Sequence, residues 1–334
     1  MKKIKIWWQA LRFHFTFPTF LPVILGNAVA ILETKHWNWI SGIAMIAATV
    51  IHHIGLNLAD DYYDYQHGTD VLKNLGKNPY AGGSGILVLG LLKPKAIYLA
   101  SLACYLITIL IGLFIVYTHG LWALILGIFG VFCSYYYTAP PLRLAYRGLG
   151  ELAIWINFGP VLILGSYYLQ AHSISIAAIL LSIIMGNLIF SVIIANEIPD
   201  YTNDKLAGKN TLIVKFGKQF GIFALMIAII IIFGIIILTT IIIHVLPMIF
   251  ISTLLIIPIS IKAITILKRT MHLKKIHGNE FIIQFANLFG IILILGTIVM
   301  LLIEHLYIES LIIFIILGFF CYLTMLSVSK LISK

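Results

Sequence analysis

Residues 40–64 read ISGIAMIAATVIHHIGLNLADDYYD, an apolar run that ends in a cluster of carboxylates. The run carries no charge before Asp60, and it reaches the roughly 20 residues that a helix needs to cross a bilayer. The whole chain has 334 residues, of which 61% are hydrophobic and 10% charged, whereas soluble domains carry roughly 25% charged residues. Such a chain belongs in lipid, where only helices and closed barrels satisfy the backbone, and long runs without alternation favour helices.

Other apolar runs of similar length lie along the chain, and we predict ten spans in all. They are 15–33, 40–58, 96–117, 121–138, 151–170, 174–196, 219–243, 246–267, 281–303 and 311–329. We therefore expect an all-α membrane protein, a bundle of nine to ten transmembrane helices, because the last run could be peripheral. Residues 1–334 form a single domain in this prediction, and the basic start is interpreted as the approach to the first helix rather than a cleaved signal.

The basic residues predict the orientation in the membrane. With the N-terminus inside, all of the 22 Lys and Arg residues except Lys35 and Lys262 fall in cytoplasmic segments, as the positive-inside rule requires. The acidic residues at 57–70 and at 196–204 then face the cytoplasm. The net charge of +10 reflects this topology and contact with anionic lipid, so we expect a multi-pass cell-membrane protein that binds no nucleic acid.

The carboxylates gather in two related clusters. Residues 196–204 read NEIPDYTND, and together with residues 57–70 they hold seven of the 12 acidic residues. Asn57 and Asn196 are 139 residues apart, and Asp64 and Asp204 are 140 apart. The second parent helix is the fourth span after the first, so both run in the same direction. This pattern indicates a parallel internal repeat.

The spacing within each cluster places the polar groups on one helix face. Positions 57, 60, 61 and 64 are neighbours on a helix, and so are 196, 200 and 204 if the helix continues past Pro199. Carboxylates this close repel one another and stay ionised only when cations compensate. Oxygen ligands without paired Cys or His favour Mg²⁺. Two such clusters facing each other could hold a diphosphate through two or more Mg²⁺ ions.

Three further segments lie on the same predicted side. The glycine-rich residues 78–85, NPYAGGSG, could offer backbone N–H groups to phosphate or form a plain turn. Residues 135–151 read YYYTAPPLRLAYRGLGE; Arg143 and Arg147 could bind phosphate or only mark topology, and the tyrosines could be interfacial. Lys209 is a candidate phosphate ligand. His52 and His53, inside a span, are either functional or hydrogen-bonded packing residues.

These motifs resemble the UbiA superfamily of intramembrane prenyltransferases, over roughly residues 12–220. Within it, the chain is most similar to the branch that acts on 1,4-dihydroxy-2-naphthoate in menaquinone synthesis. Residues 57–70 resemble the first aspartate motif, with Asp60 in place of a usual Asn. Residues 137–151 resemble the branch's Tyr-Thr-x-x-Pro…Tyr-Arg-Gly-Leu-Gly-Glu segment, and residues 196–212 resemble the second motif and its Gly-Lys-x-Thr-Leu sequel. The chain departs from the family's pattern at Phe13, where Pro is usual, and at residues 197–199, EIP.

The resemblance implies a Mg²⁺-dependent enzyme with a polyprenyl diphosphate donor, an aromatic acceptor and a central cavity opening toward the cytoplasmic side. It implies nine helices, so that residues of about 12–303 form the core and 304–334 an extra helix. The implied metal ligands are Asp61, Asp64, Asp200, Asp204, Asn57 and Asn196, with Asp60 joining the four aspartates in catalysis. The implied substrate-binding residues are Asn57, Asn196, Arg143, Arg147, Lys209, Tyr137, Lys77 and Arg12.

Two alternatives remain at this point. The same chemistry could serve another acceptor, namely 4-hydroxybenzoate, homogentisate, a tetrapyrrole or a glycerol lipid. The chain could instead be a cation-coupled transporter, because membrane carboxylates also mark ion pathways. Transporter acids tend to lie near the midplane with access from both faces, whereas both clusters here lie at the inner helix ends.

Overall fold

The computed structural model describes residues 2–72 and 83–243, and beyond them the single positions 261, 265, 291, 295 and 313. Every regular element in this part of the chain is helical, which confirms the predicted class. The α-helices are α1 Lys2–Leu11, α2 Phe17–Thr34, α3 Trp39–Gln66, α4 Thr69–Leu72, α5 Pro94–His119, α6 Leu121–Tyr135, α7 Gly150–Ile156, α8 Leu162–Ala171, α9 Ile176–Leu206, α10 Leu212–Phe216 and α11 Lys218–Ile243.

Six helical units are long and apolar enough to cross a membrane: α2, α3, α5, the α7–α8 unit, α9 and α11. Helix α6 is apolar but shorter. These elements correspond to the first seven predicted spans, so the chain is a multi-pass membrane protein. The spans predicted at 246–267, 281–303 and 311–329, the extra helix at 304–334 and hence the total of nine to ten helices lie outside the described residues, apart from five single positions.

The helix boundaries differ from the predicted spans where the acidic clusters begin. Helix α3 starts after Asn38, whose side chain accepts a hydrogen bond from the Ser41 N–H, and it continues past the predicted end at 58 to Gln66. Helix α9 continues through Pro199 to Leu206, which meets the condition for a shared face in the second cluster. Both clusters therefore lie on helices rather than in loops, because their polar groups face protein instead of lipid.

The bundle is built on three helix pairs, since α3 packs chiefly on α5, α2 on α8, and α9 on α11. In lipid such pairs form by close packing of side chains and small residues. Gly159 lies in the π-helical turn between α7 and α8, and a Cβ there would stand 2.4 Å from the Ser182 carbonyl oxygen of α9. The turn also contains Pro160, which cannot donate an α-helical hydrogen bond. This close crossing holds the α7–α8 unit against α9.

Candidate active site

The ends of α3 and α9 that carry the two clusters are joined by an ion pair. Lys209, in the turn after α9, donates to Asp64 on α3 with 3.2 Å between Nζ and Oδ2. Both residues are buried, with 9% of Lys209 and 3% of Asp64 exposed. The Lys209 N–H also bonds the Asp204 carbonyl at 2.8 Å. The predicted meeting of the two helix ends is therefore present, and a buried cation connects them.

Tyr146 binds the other oxygen of Asp64. Its hydroxyl donates to Oδ1 at 2.7 Å and also contacts the Thr69 hydroxyl at 2.6 Å. The Nζ of Lys209 lies 5.4 Å from the centre of the Tyr146 ring. Burial, and after it the charge of Asp64, raise the pKa of Tyr146, so the hydroxyl stays protonated and donates. Tyr146 thus fixes both Asp64 and Lys209 in place.

Asp61 is held by a second cation and by residues 83–85 at the end of the glycine-rich segment. Arg12 lies 3.5 Å from Asp61 between Nη1 and Oδ1, and the Ser84 N–H donates to the same oxygen at 3.0 Å. A Cβ on Gly83 would stand 3.0 Å from Asp61 Oδ1 and 2.5 Å from Asp70 Oδ2. The carboxylates of Asp61 and Asp70 therefore converge beneath Gly83, a position at which a side chain would collide with them.

Carboxylates from both clusters influence the pKa of Lys209. Burial disfavours its charged form, but Asp64, Asp60 and Asp204 outweigh burial and hold the pKa of Lys209 well above its usual range. Two buried oxygens of the clusters, Asp60 Oδ1 and Asn196 Oδ1, accept no hydrogen bond within the described part of the chain. The centre thus combines a fixed cation with buried oxygen atoms that have capacity for a further ligand.

The remaining predicted site residues are either at least half-buried in the bundle or belong to the arginine-containing loop before α7. Asn57 is buried, Asp200 and Tyr137 are half-buried, and the pKa of Tyr137 is raised chiefly by burial of its hydroxyl. Arg147 is exposed and donates to its own loop, 2.9 Å from the Pro141 carbonyl oxygen. Arg143 has φ 46° and lies beside His67, whose pKa is lowered by burial and then by Arg143.

Residues 73–82, which include Lys77 and most of the glycine-rich segment, lie outside the described residues.

Glu151 anchors the segment that carries Lys209. Its Oε1 accepts the Leu212 N–H at 2.5 Å, and its side chain lies close enough to that of Glu197 for the two carboxyl groups to influence each other. Both glutamates are buried, with 1% and 7% exposed. The Asn210 N–H bonds the Tyr146 carbonyl at 3.3 Å. The turn after α9 is therefore fixed to the loop before α7, and the start of α10 to the start of α7.

A cavity of about 510 Å³ extends through the bundle between α2, α3, α5, α6 and the α7–α8 unit. Its wall is mainly apolar and includes Leu56, Val131, Phe158 and Leu162. Tyr137, which lies close enough to Lys209 and Asp60 to interact with their charges, also lines the cavity. The carboxylate centre and the apolar cavity are therefore neighbours, and the side of the membrane to which the cavity opens stays a prediction.

Sequence reasoning missed three residues that organise this centre: Tyr146, Glu151 and Ser84. A tyrosine or glutamate at a helix end is typical of a membrane interface, so neither side chain signalled a buried partner. Both Tyr146 and Glu151 belong to the segment at 137–151 that carries the resemblance, which was the available signal. Ser84 acts through its backbone N–H, which the side-chain pattern does not reveal.

The model of the UbiA prenyltransferase family matches residues 19–282, more than half of the chain. The chain belongs to the UbiA prenyltransferase family. The protein is therefore a prenyltransferase, and membership of the UbiA family favours the enzyme over the transporter alternative.

Curated relatives within the UbiA family carry prenyltransferase names. The chain is 33% identical to the 1,4-dihydroxy-2-naphthoate octaprenyltransferase of Bacillus subtilis (strain 168), over 64% of this chain and 67% of that protein. It is 31% identical to the Haemophilus influenzae protein of the same name, over 66% and 72%. The 2-carboxy-1,4-naphthoquinone phytyltransferase of Synechocystis is 28% identical, over 68% and 71%.

Solved structures share the UbiA fold. A UbiA homolog from Archaeoglobus fulgidus bound to GPP and Mg²⁺ superposes with a TM-score of 0.63 at 16% identity, over 88% of this chain and 99% of that one. A digeranylgeranylglyceryl phosphate synthase gives 0.61 at 17% identity, over 89% and 99%. At these identities the comparison concerns the fold alone.

The donor set of this UbiA chain fits a hard divalent cation. The side chains that face the centre offer carboxylate and amide oxygens, the ligands that Mg²⁺ prefers. The buried oxygens of Asp60 and Asn196 have capacity for such a ligand. Among the described residues, no three acidic, His or Cys side chains already surround one point at metal-ligand distance, and Asp61 and Asp64 contact Arg12 and Lys209.

Proposed function

We propose that the protein transfers a polyprenyl group from polyprenyl diphosphate to 1,4-dihydroxy-2-naphthoate in a Mg²⁺-dependent reaction that leads to demethylmenaquinone. The observation that carries this proposal is the contact of Lys209 with Asp64 beside the apolar cavity. A diphosphate requires cations and hydrogen-bond donors, whereas a prenyl chain requires an apolar space. The two requirements are met next to each other at Tyr137, which lines the cavity and lies close enough to Lys209 and Asp60 to interact with their charges.

The charged centre binds the diphosphate in this proposal. Mg²⁺ held by Asp61, Asp64, Asp200 and Asp204, with Asn57 and Asn196, would neutralise the negative charge that develops as the allylic C–O bond breaks. Lys209 and Arg12 move from their carboxylates to the phosphate oxygens and share that charge. Asp60 joins the four aspartates as a catalytic carboxylate. Tyr146 keeps Asp64 oriented while Lys209 changes partner.

The cavity binds the prenyl chain and protects the reaction from water. When the C–O bond breaks, its electron pair leaves with the diphosphate, and the allylic carbon becomes a cation. The electron-rich ring carbon that bears the acceptor's carboxylate then donates a pair to form the new C–C bond. Loss of the acceptor carboxylate as CO₂ returns its bonding pair to the ring. The apolar wall excludes water, which would otherwise capture the cation.

The naphthoate acceptor is supported by the relatives rather than by the fold. The proteins from Bacillus subtilis, Haemophilus influenzae and Synechocystis are all named for naphthalene-ring acceptors. The motif at residues 137–151 resembles the same branch. We further propose a single domain over 1–334 with nine to ten helices, a core of about 12–303, an extra helix at 304–334, and a site facing the cytoplasm at the cell membrane.

An acceptor panel tests the proposal directly. Purified protein in lipid nanodiscs receives geranylgeranyl diphosphate or a longer donor, with each acceptor class in turn, and mass spectrometry identifies the products. We expect a prenylated, decarboxylated naphthoquinol that disappears when EDTA removes Mg²⁺. If 4-hydroxybenzoate or a glycerol lipid is prenylated and the naphthoate is not, the naphthoate is not the acceptor of this enzyme.

A further inference from the structure

His52 is a polar residue in the wall of the apolar cavity. It lies near the middle of α3, which spans Trp39–Gln66, and it lines the cavity together with Met45, Thr49 and Leu56. These positions form a stripe on one helix face that leads to Asp60. Asp60 lies eight residues further on, about 12 Å along the helix axis. The imidazole is therefore below the charged centre, inside the space that the substrates share.

The two adjacent histidines have different surroundings. His53 is hydrogen-bonded through Nδ1 to the Thr19 hydroxyl, so its polarity is satisfied by the protein. Neither nitrogen of His52 makes a hydrogen bond within the described chain, and Nδ1 is buried. The His52 ring packs edge-on against Tyr105 with centroids 5.4 Å apart, and the Tyr105 hydroxyl is bonded to Ser134 at 2.9 Å. The ring is held in position, but its hydrogen-bonding groups are not used.

Other polar groups of the cavity wall are satisfied by their own helices. The Thr49 hydroxyl donates to the Met45 carbonyl at 2.8 Å, the Thr108 hydroxyl to the Cys104 carbonyl at 2.9 Å, and the Asn157 amide to the Ala153 carbonyl at 2.7 Å. A buried polar group without a partner costs free energy. Compared with Thr49, Thr108 and Asn157, His52 gains more from a polar ligand in the cavity, because its hydrogen-bonding groups are unused.

The chemistry of the two substrates decides which one meets His52. A prenyl chain is a hydrocarbon beyond its diphosphate and would leave the imidazole unsatisfied. An aromatic acceptor carries hydroxyl and carboxylate groups, and an imidazole offers one donor and one acceptor nitrogen. An acceptor whose ring carbon meets the donor beneath the carboxylates extends away from them along the α3 stripe, toward His52.

We propose that His52 binds a hydroxyl or carboxylate on the ring of the aromatic acceptor and so determines acceptor recognition. The inference rests on the proposed function, because it names the residue that recognises the acceptor in that reaction. His52 is a specificity-determining residue here, whereas His53 is a structural one that joins α3 to α2.

The test compares His52→Leu with Thr239→Val, a control on α11 that is outside the cavity wall and whose hydroxyl bonds the Ile235 carbonyl of its own helix at 2.7 Å. For each variant, KM is measured for 1,4-dihydroxy-2-naphthoate and for geranylgeranyl diphosphate, and direct binding of the naphthoate is followed anaerobically by quenching of Trp fluorescence. For His52→Leu we expect the naphthoate KM and Kd to rise about three- to tenfold, as loss of one hydrogen bond predicts. The KM of the diphosphate should change less than twofold, and Thr239→Val should match wild type.

Two results would overturn the assignment. One is a His52→Leu protein with wild-type naphthoate Kd and the same thermal midpoint as the control. The other is a raised KM for the diphosphate alone, which would assign His52 to the prenyl chain. If the wild-type protein binds the naphthoate but transfers no prenyl group, the proposed function is contradicted. The naphthoate Kd of His52→Leu would still decide the role of His52.

Discussion

Lys209 and Asp64 are 145 residues apart in sequence and form a buried ion pair, with 3.2 Å between Nζ and Oδ2. The pair joins the turn after α9 to the end of α3. Because Asp64 belongs to the first cluster and Lys209 follows the second, this contact turns two remote motifs into one centre. A buried charge is costly unless paired, so the geometry of the centre depends on both partners.

Loss of one carboxylate from either cluster should stop catalysis. We expect Asp64→Ala and Asp200→Ala each to lower Mg²⁺-dependent turnover by at least about 100-fold, the scale on which removal of one charge-stabilising group acts. Purified protein and a labelled prenyl diphosphate give the rate. Glu33→Gln, a carboxylate next to Tyr167 on α8 and remote from both clusters, is the control and should stay near wild type. Wild-type turnover in either Ala variant would disprove the shared role.

Removal of the Lys209 ammonium should be more harmful than removal of a nearby surface cation. In Lys209→Met, Asp64 loses its ion pair and the diphosphate loses a positive charge, so we expect turnover to fall at least tenfold, on the order of 1.4 kcal/mol. Lys209→Arg should retain part of the rate. The control is Lys215→Met, which removes an exposed lysine bonded to the Arg147 carbonyl. Equal rates for the two Met variants would contradict this account.

Tyr146 should act through its hydroxyl. Tyr146→Phe removes the 2.7 Å hydrogen bond to Asp64 and keeps the ring beneath Lys209. A hydrogen bond to a charged group is worth about 1.5–3 kcal/mol, so we expect kcat to drop about tenfold or more. Tyr136→Phe is the matched control, because its hydroxyl makes no hydrogen bond in the described part of the loop. Equal kcat values for Tyr146→Phe and Tyr136→Phe would contradict a role for the Tyr146 hydroxyl.

The cavity should set how well long donors react. Gly130 lines it, and a Cβ there would be 3.6 Å from Asn157 Oδ1, an ordinary contact. Gly130→Leu therefore fills space without a backbone clash, and we expect kcat/KM to fall more for a long polyprenyl diphosphate than for a short one. Gly234→Leu, on the exposed side of α11, should leave the ratio unchanged. If Gly130→Leu also leaves the ratio of kcat/KM for long and short donors unchanged, the prenyl chain does not bind in this cavity.

The fold was predictable where hydrophobicity alone determines it. The first seven spans follow from apolar length, since lipid accepts few other segments. The ends of α3 and α9 did not follow, because a hydropathy pattern stops at the first carboxylate, whereas Asp60 and Asp64 continue the helix by facing protein. The π-helical break around Pro160 was also missed, since it depends on the close approach of Gly159 to α9.

The site was predictable only in its residue types. The sequence indicates that carboxylates at 57–64 and 196–204 need cations, and the structure places Arg12 and Lys209 against Asp61 and Asp64. The sequence does not indicate which loop tyrosine is buried, because the pattern allows Tyr136 and Tyr146 alike to be interfacial residues. Arg147 shows the converse, since a basic residue in a promising motif bonds its own loop. Such choices are made by tertiary contacts that spacing does not encode.

The central claim is that both clusters bind one metal-bound diphosphate, and a double-mutant cycle tests it most directly. Calorimetry measures the Mg²⁺-dependent affinity for geranylgeranyl diphosphate in wild type, Asp64→Asn, Asp200→Asn and the double variant. Residues that share one ligand give non-additive losses, so the double variant should bind no more weakly than the worse single variant. Losses that add independently, or an Asp200→Asn protein with wild-type affinity, would contradict a shared site.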